Sequence, residues 1–543
     1  MRYLILSCFL ASLSILAADV PVPKKRSEPA TVAKAIDQEI TQRLSESNIP
    51  ASIRCTDDEF LRRATLDITG TLPTIDRVKS FLAEKSSNKR AALIDELLAD
   101  RNYGDYFASI WFDLLVQTND DNRALIAKSF EPWLADKFNE QKGWDKIVSE
   151  ILTAGGKRDE NPATVFWLAQ SDMNAKPAHV KTADAVGKIT QRFLGTQFQC
   201  AECHDHPFTP LRQQDFWGTA AFFGDVSLKD AQKKMLRADS VPSVFEKSAG
   251  KQFGMIEIPD SQKDSAKTQF PDGTPYDPAS ANGTSLRGVF ATWCTSRENE
   301  HFSNAMANRM WAHFLGRGFV MPVDDFRKNN APSHPDALDA LSKDFAASGY
   351  DLKHLIRCIC LTQAYQRSSE ATAQNKNDET LFSHAPLKML SAGVLENALE
   401  ESLGNEVAEA EAGARTKGKG KGKATRLKKK AAKRQQIMGS KFEQAFATSE
   451  EPDDPEYSHG VPQVLQLMNG EDLNGSALLT SVSRSGTVKD GIEHLYLATL
   501  SRMPHPRELT RMQSFIDSSA SKTAGYYGVL WALLNSSEYV LNH

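Results

Sequence analysis

Two cysteines three residues apart, with a histidine directly after the second, occur in the stretch Gln199-Cys200-Ala201-Glu202-Cys203-His204-Asp205-His206-Pro207-Phe208. This is the spacing of covalent c-type haem attachment: each thiol adds to a porphyrin vinyl group, and the neighbouring imidazole of His204 ligates the iron. With 7 Cys and 12 His in 543 residues, chance would supply such a pattern about 0.002 times, so the cluster is expected to have a use. The residue types leave the cation open. Cys200, Cys203, His204 and His206 form a set that zinc or iron would accept, with Asp205 as a further ligand or a base. A redox-active or structural CxxC disulfide is the third reading.

Each chemistry asks for partners elsewhere. A haem iron needs a distal ligand, for which Met173, His179, Met235 and His313 are available; His206 is too near His204 to reach the opposite haem face. A metal site spanning both halves could draw on His313, His334, Asp324 and Asp325, although each alone reads more simply as a cap or a hydrogen-bonded core group. A Ser-His-Asp elbow, a phosphate-cradling Gly loop and a dinucleotide fingerprint do not stand out, which removes the common hydrolase and nucleotide-enzyme readings.

Positioning the cluster falls to helices. Val186, Ile189, Phe193 and Leu194 share one helical face, with Asp184, Lys188, Gln191 and Arg192 opposite, so this helix should deliver Cys200 and Cys203 at its end. Pro207 and Pro210 stop continuation. Helix resumes from Asp215 to Phe223, where Phe216, Trp217, Phe222 and Phe223 are expected to cover the site. Upstream, Phe60 to Asp67 has helical spacing, Gly70 stops it and Thr74 caps the next helix; Tyr103, Phe107, Trp111 and Leu115 form a core stripe. Downstream, Asn304 to Leu315 is helical, Ser333 to Asp336 has the form of a capping box, and Cys358 and Cys360 sit too far round one helix to pair. The fold expected is mainly α: two helical domains, 36–225 and 286–543, joined by an irregular connector, 226–285, with at most a small β-hairpin.

The ends and the composition bound the setting. Arg2, the apolar run Leu4 to Leu16 and the small pair Ala17-Ala18 read as an export signal over 1–18 with a leader over 19–35, placing the mature chain in the periplasm or outside the cell. The run is too short to span a bilayer. With 65 basic and 69 acidic side chains, specific nucleic-acid binding is not expected. A Lys/Gly-rich insertion at about 413–436 carries eleven Lys or Arg between Arg415 and Arg434 without an acid. It reads as a disordered arm that can contact an anionic polymer.

These stretches resemble a known pair of domains. Phe60-Leu61-Arg62-Arg63 through Leu72-Pro73-Thr74, Tyr103 to Leu115, and Phe193-Leu194-Gly195 through the cysteine cluster to Ala220-Ala221-Phe222-Phe223 resemble the planctomycete-type cytochrome-c-associated domain of unknown function. Asn308-Arg309-Met310-Trp311-Ala312-His313, Asp324-Asp325-Phe326, Gly349-Tyr350-Asp351-Leu352-Lys353 and Trp531 to Ser536 are similar to its usual companion. The resemblance implies an exported protein working beside cytochromes and assigns no reaction; a redox partner in the envelope is what the haem reading would require. The chain departs from the pattern in lacking a separate N-terminal cytochrome domain, and Glu450 to Gly460 stands without cysteine where relatives carry a Cys- and Arg-containing stretch.

Overall fold

The computed structural model describes residues 26–116, 123–173, 175–205, 210–229, 242–247, 253–259, 265–281, 283, 285–403, 476–484 and 486–543. The export signal, most of the leader and the Lys/Gly insertion lie outside these residues, as do His206 and Met235.

The chain is mainly helical, with small antiparallel sheets only. Its helices are α1 (Pro29–Glu46), α2 (Asp57–Thr69), α3 (Ile75–Ala83), α4 (Lys89–Ala99), α5 (Arg101–Leu115), α6 (Arg123–Asn139), α7 (Trp144–Leu152) and α8 (Val165–Ala169). There follow α9 (Thr182–Leu194), α10 (Gln213–Ala220), α11 (Leu286–Cys294), α12 (Glu300–Leu315), α13 (Pro335–Ala347), α14 (Leu352–Cys360) and α15 (Ala392–Leu403). Four helices near the end, Ala477–Ser483, Val488–Leu500, Pro506–Ser518 and Lys522–Leu534, pack on one another. Among the described residues no helix is long and apolar enough to cross a membrane.

Strands are short: β1 (Gly156–Lys157), β2 (Ser171–Asp172), β3 (His179–Val180), β4 (Val226–Lys229), β5 (Ser243–Glu246), β6 (Met255–Glu257), β7 (Ser265–Lys267), β8 (Lys388–Met389) and β9 (Leu541–Asn542). They pair as β1-β5-β4, β2-β3, β6-β7 and β8-β9, all antiparallel. The connector thus holds two paired segments, with Val226 opposite Glu246 and Met255 opposite Lys267. That is more order than the single small hairpin expected.

The apolar interior disregards the middle of the chain. One cluster runs from Val32 to Phe382 and joins α1 through α14; α1 packs on α13 and α14, and α9 on α12. A second gathers Leu66 and Leu72 with apolar residues from Leu390 to Tyr539. Helix α2 belongs to both.

Local chemistry explains α2. Asp57, Asp58 and Glu59 place negative charge on its first turn, where the helix dipole favours it, and Gly70 ends it with a left-handed φ of 64°. A side chain at Gly70 would strike the ring of Tyr106, 2.6 Å from where its Cβ would lie. Every residue from Phe60 to Thr69 is buried, including Arg62, Arg63 and Asp67. Spacing alone would put those three charges in solvent. Each is kept inside by polar partners, although the Nε of Arg62 has none. Arg62 donates to the carbonyls of Thr499 (2.9 Å) and Tyr539 (2.8 Å), and burial pulls its guanidinium down to about 10. Arg63 donates to the carbonyls of Tyr365 (2.6 Å), Arg367 (2.9 Å) and His543 (3.0 Å), and pairs with Glu59. Asp67 accepts from Lys388 Nζ (2.6 Å), Asn542 Nδ2 (2.7 Å) and the Tyr365 hydroxyl (3.0 Å).

Two expectations about the helices need correction. Ser333 does not cap α13; the N-cap is His334, without a side-chain cap, and the free amide of Ala337 donates instead to Glu39 of α1 at 2.6 Å. A carboxylate from a packed neighbour replaces the local hydroxyl. Arg192, placed on the polar face of α9 by its spacing, is buried against Asp324.

Removing the carboxylate of Asp67 leaves the half-buried Lys388 ammonium without the counter-charge it is paired with. Asp67→Ala is expected to cost about 3–5 kcal/mol, and Asp67→Ala/Lys388→Met less than the sum of the two single changes. Urea unfolding of the three variants checks this; strict additivity would contradict the pairing.

Candidate functional site

Helix α9 ends at Gly195, whose φ of 64° lets its amide and that of Thr196 return to the carbonyls of Gln191 and Thr190. Its φ and the ring of Phe326, 2.7 Å from where a Cβ would lie, both require glycine there. The chain then buries Phe198 and makes a short 3-10 turn over Gln199–Ala201. Ala201 points inward and is fully buried, while Cys200 and Cys203 are exposed and neither is in a disulfide. The cysteines therefore do not sit on the end of α9 itself but one reverse beyond it. Gly187 in α9 leaves the space that Gln199 fills, since a Cβ there would lie 2.3 Å from Gln199 Nε2.

Two side chains from the next helix region hold the motif's backbone, and one from the motif holds theirs. The indole Nε1 of Trp217 donates to the carbonyl of Glu202 at 3.0 Å. Gln213 Nε2 donates to the carbonyls of Glu202 (3.1 Å) and Cys203 (3.0 Å). Asp205 Oδ1 accepts from the amide of Gln213 at 2.8 Å, satisfying a donor at the start of α10, and so one of its oxygens is already engaged. Of the aromatics expected to cover the site, Trp217 touches it. Phe222 and Phe223 are core, stacked on Phe270, Phe290 and Trp167.

His204 is exposed, and its Nδ1 lies 2.8 Å from the carbonyl oxygen of Asp205. That oxygen can only accept, so Nδ1 carries the proton, and in the neutral ring Nε2 keeps the lone pair. This is the arrangement in which a backbone carbonyl fixes the tautomer of a ligating imidazole. Around the motif the polar face of α9 is charged. Burial, then the neighbouring Arg192, pulls the Lys188 ammonium down to about 8; burial, then the charge of Asp184, raises the Glu202 carboxyl.

Each partner suggested from the second half has a bond of its own, while Asp325 Oδ1 and His334 Nε2 are buried without one. His313 Nε2 donates to the carbonyl of Asp67 at 2.9 Å, its ring packed on Phe107 and Phe314. Asp324 pairs with Arg192 at 3.2 Å, and Asp325 with Arg327 at 2.5 Å. His334 is fully buried between Phe319 and Phe382, with Nδ1 on the Ser333 hydroxyl. Among the described residues these four do not form one metal-holding group with the cysteine motif; the group that does have the geometry is Asp344, His354 and Cys358, all buried. Its signal in the sequence was a His and a Cys four apart on one helix, passed over because the cysteines there were weighed only for pairing with each other.

A mainly helical body with one exposed CxxCH turn defines the class. The chain belongs to the planctomycete cytochrome-associated pair of unknown function: residues 35–227 match PSCyt2, a protein of unknown function (DUF1549), and residues 286–516 match PSD1, a protein of unknown function (DUF1553). No curated protein and no solved structure matches it.

Two measurements follow from this geometry. Cys55, Cys294, Cys358 and Cys360 are buried, and burial pushes each thiol up. Brief iodoacetamide treatment of the folded, metal-free chain should therefore label Cys200 and Cys203, with the other four labelled only after unfolding, as read by peptide mass spectrometry. Burial, then the charge of Arg43, pulls the His334 imidazole from 6.5 down to about 4. As pH falls, the unfolded chain takes up that proton first, so stability present above 6.5 is lost between 6.5 and about 4, at most roughly 3 kcal/mol. His334→Gln should flatten the plot of unfolding free energy against pH over that window; an unchanged slope would contradict the assignment.

Proposed function

We propose that the chain is an exported c-type haem protein that passes electrons to a redox partner in the envelope. Cys200 and Cys203 are the thioether attachment points, and His204 is the proximal ligand. The observation that carries this reading is the Nδ1 hydrogen bond of His204 to the Asp205 carbonyl, which leaves Nε2 as the nitrogen able to ligate iron. The exposure of both thiols supports it, because attachment needs a maturation enzyme to reach them. So does the cytochrome association carried by the name of the first family.

Bound there, haem supplies one-electron transfer. The chain's residues do the rest: two sulfurs fix the porphyrin edge, the Asp205 carbonyl orients the imidazole, and Trp217 with Gln213 holds the turn against the body. Of the distal candidates, His313 has its Nε2 committed to Asp67, which leaves Met173 and His179 among the described residues. The Lys/Gly arm is free to contact an anionic polymer of the envelope.

Secretion from a host with haem-maturation machinery tests the proposal. The expected result is a pyridine haemochrome that survives denaturation, at one haem per chain, and that disappears in Cys200→Ala/Cys203→Ala. A colourless chain, fully exported with two free or mutually oxidised thiols at the motif, would sink it. Stoichiometric zinc lost with the same variant would favour the other metal reading.

A further inference from the structure

The second half carries a set of ligands independent of the CxxCH turn. Helices α13 and α14 are joined by a tight reversal in which Gly349 (φ 75°) and Tyr350 (φ 60°) both take left-handed backbone. The reversal brings Asp344 of α13 against His354 and Cys358, which are one turn apart on α14 and so share a face. The Cys358 sulfur lies 3.6 Å from His354 Nε2, and that nitrogen lies 2.6 Å from Asp344 Oδ2. All three ligand atoms fall within 4.8 Å of one another, and all three residues are buried.

We propose that Asp344, His354 and Cys358 form a zinc-type metal site. With metal–sulfur and metal–nitrogen bonds of about 2.3 and 2.0 Å, tetrahedral geometry sets the S···N edge at about 3.5 Å, which is the separation found. The N···O edge should be about 3.3 Å, so the His354–Asp344 hydrogen bond opens by about 0.7 Å when the ion enters. One proton leaves to solvent from the thiol, and the imidazole proton moves to Nδ1. The loaded site balances a divalent ion against one carboxylate and one thiolate, which makes a neutral unit suited to burial.

The supports of a metal site are also present. The second oxygen of Asp344 accepts from the Ser27 amide at 2.7 Å, which fixes the carboxylate. Asp351 caps α14 through the amide of His354 at 3.1 Å, which fixes where the imidazole begins. The nearby cations are paired, Arg357 with Asp95 and Arg26 with Asp351. A surface cleft of about 400 Å³, lined by Ser27, Gln141, Asp351 and His354 among others, meets the cluster at His354, the one of its three ligands on the cleft's lining. Three protein ligands with such an opening match a site that keeps a water.

Cobalt(II) chloride reads the site. Cys200→Ser/Cys203→Ser chain, freed of metal by chelator, should take up one equivalent of cobalt with a thiolate charge-transfer band that zinc then erases. Adding Cys358→Ser should abolish the band, and Asp344→Asn should weaken cobalt binding at least tenfold. No band in the double variant, or a band that persists without Cys358, overturns the proposal. Should Cys358→Ser fail to fold, zinc-edge X-ray absorption of the double variant decides: one sulfur at about 2.3 Å with nitrogen and oxygen neighbours sustains it, and a shell without sulfur overturns it. Because the motif cysteines are absent throughout, the outcome is independent of haem attachment.

Discussion

A carboxylate shut away from water must find donors, and Asp67 finds them in three parts of the chain that are far apart in sequence: Tyr365, Lys388 and Asn542. Lys388 in turn spends its other two donors on the carbonyls of His313 and Phe314, at the end of α12. The negative charge thereby reaches the negative pole of a second helix through one ammonium. Arg62 and Arg63 do the same work with main-chain carbonyls, binding the segments around Thr499, Tyr539, Tyr365 and His543. Both apolar clusters have a share in α2, so these bonds are what set one against the other. Buried ions bonded in this way demand a particular arrangement more than they add stability, because another packing would leave a charge unpaired.

The helices were legible because their signals are local. The stop at Gly70, the cap at Thr74, the stripe of Tyr103, Phe107, Trp111 and Leu115, and the end of α12 at Gly316 depend on φ, on a hydroxyl within three residues, or on a 3.6-residue period. What escaped was whatever needed a distant partner. Arg62, Arg63, Asp67 and Arg192 have the look of a solvated face until acceptors for the three arginines and donors for the aspartate are supplied from distant parts of the chain. Glu39 replaced Ser333 as the cap of α13 for the same reason: the nearer hydroxyl had the right chemistry, and the packed carboxylate had the right position. The connector's further paired segment escaped because strands of three or four residues carry too little alternation to register.

At the cysteine motif the legible part was the set of residue types, and the illegible part was how they are held. The turn is anchored by Gly187 yielding space to Gln199, by Trp217, and by Gln213. Trp217 was expected over the site, but the roles of Gly187 and Gln213 could not be assigned before the helices were packed. Trp217 and Gln213 bind backbone, which leaves both cysteine side chains and the Nε2 of His204 on the outside.

Solvation then separates the two candidate centres. Cys200, Cys203 and His204 face water, where thiols stay reachable for covalent chemistry and a charge can pass to a docked partner without burying itself first. Asp344, His354 and Cys358 sit where burial raises the cost of every uncompensated charge, and where the thiol holds its proton unless a cation displaces it. An exposed pair of sulfurs suits attachment of a large group that brings its own apolar surface. A buried sulfur, nitrogen and oxygen suit a small ion and nothing larger. The fold offers both within one continuous body, because α9 presents its motif beyond its capped end while α13 and α14 close theirs between them.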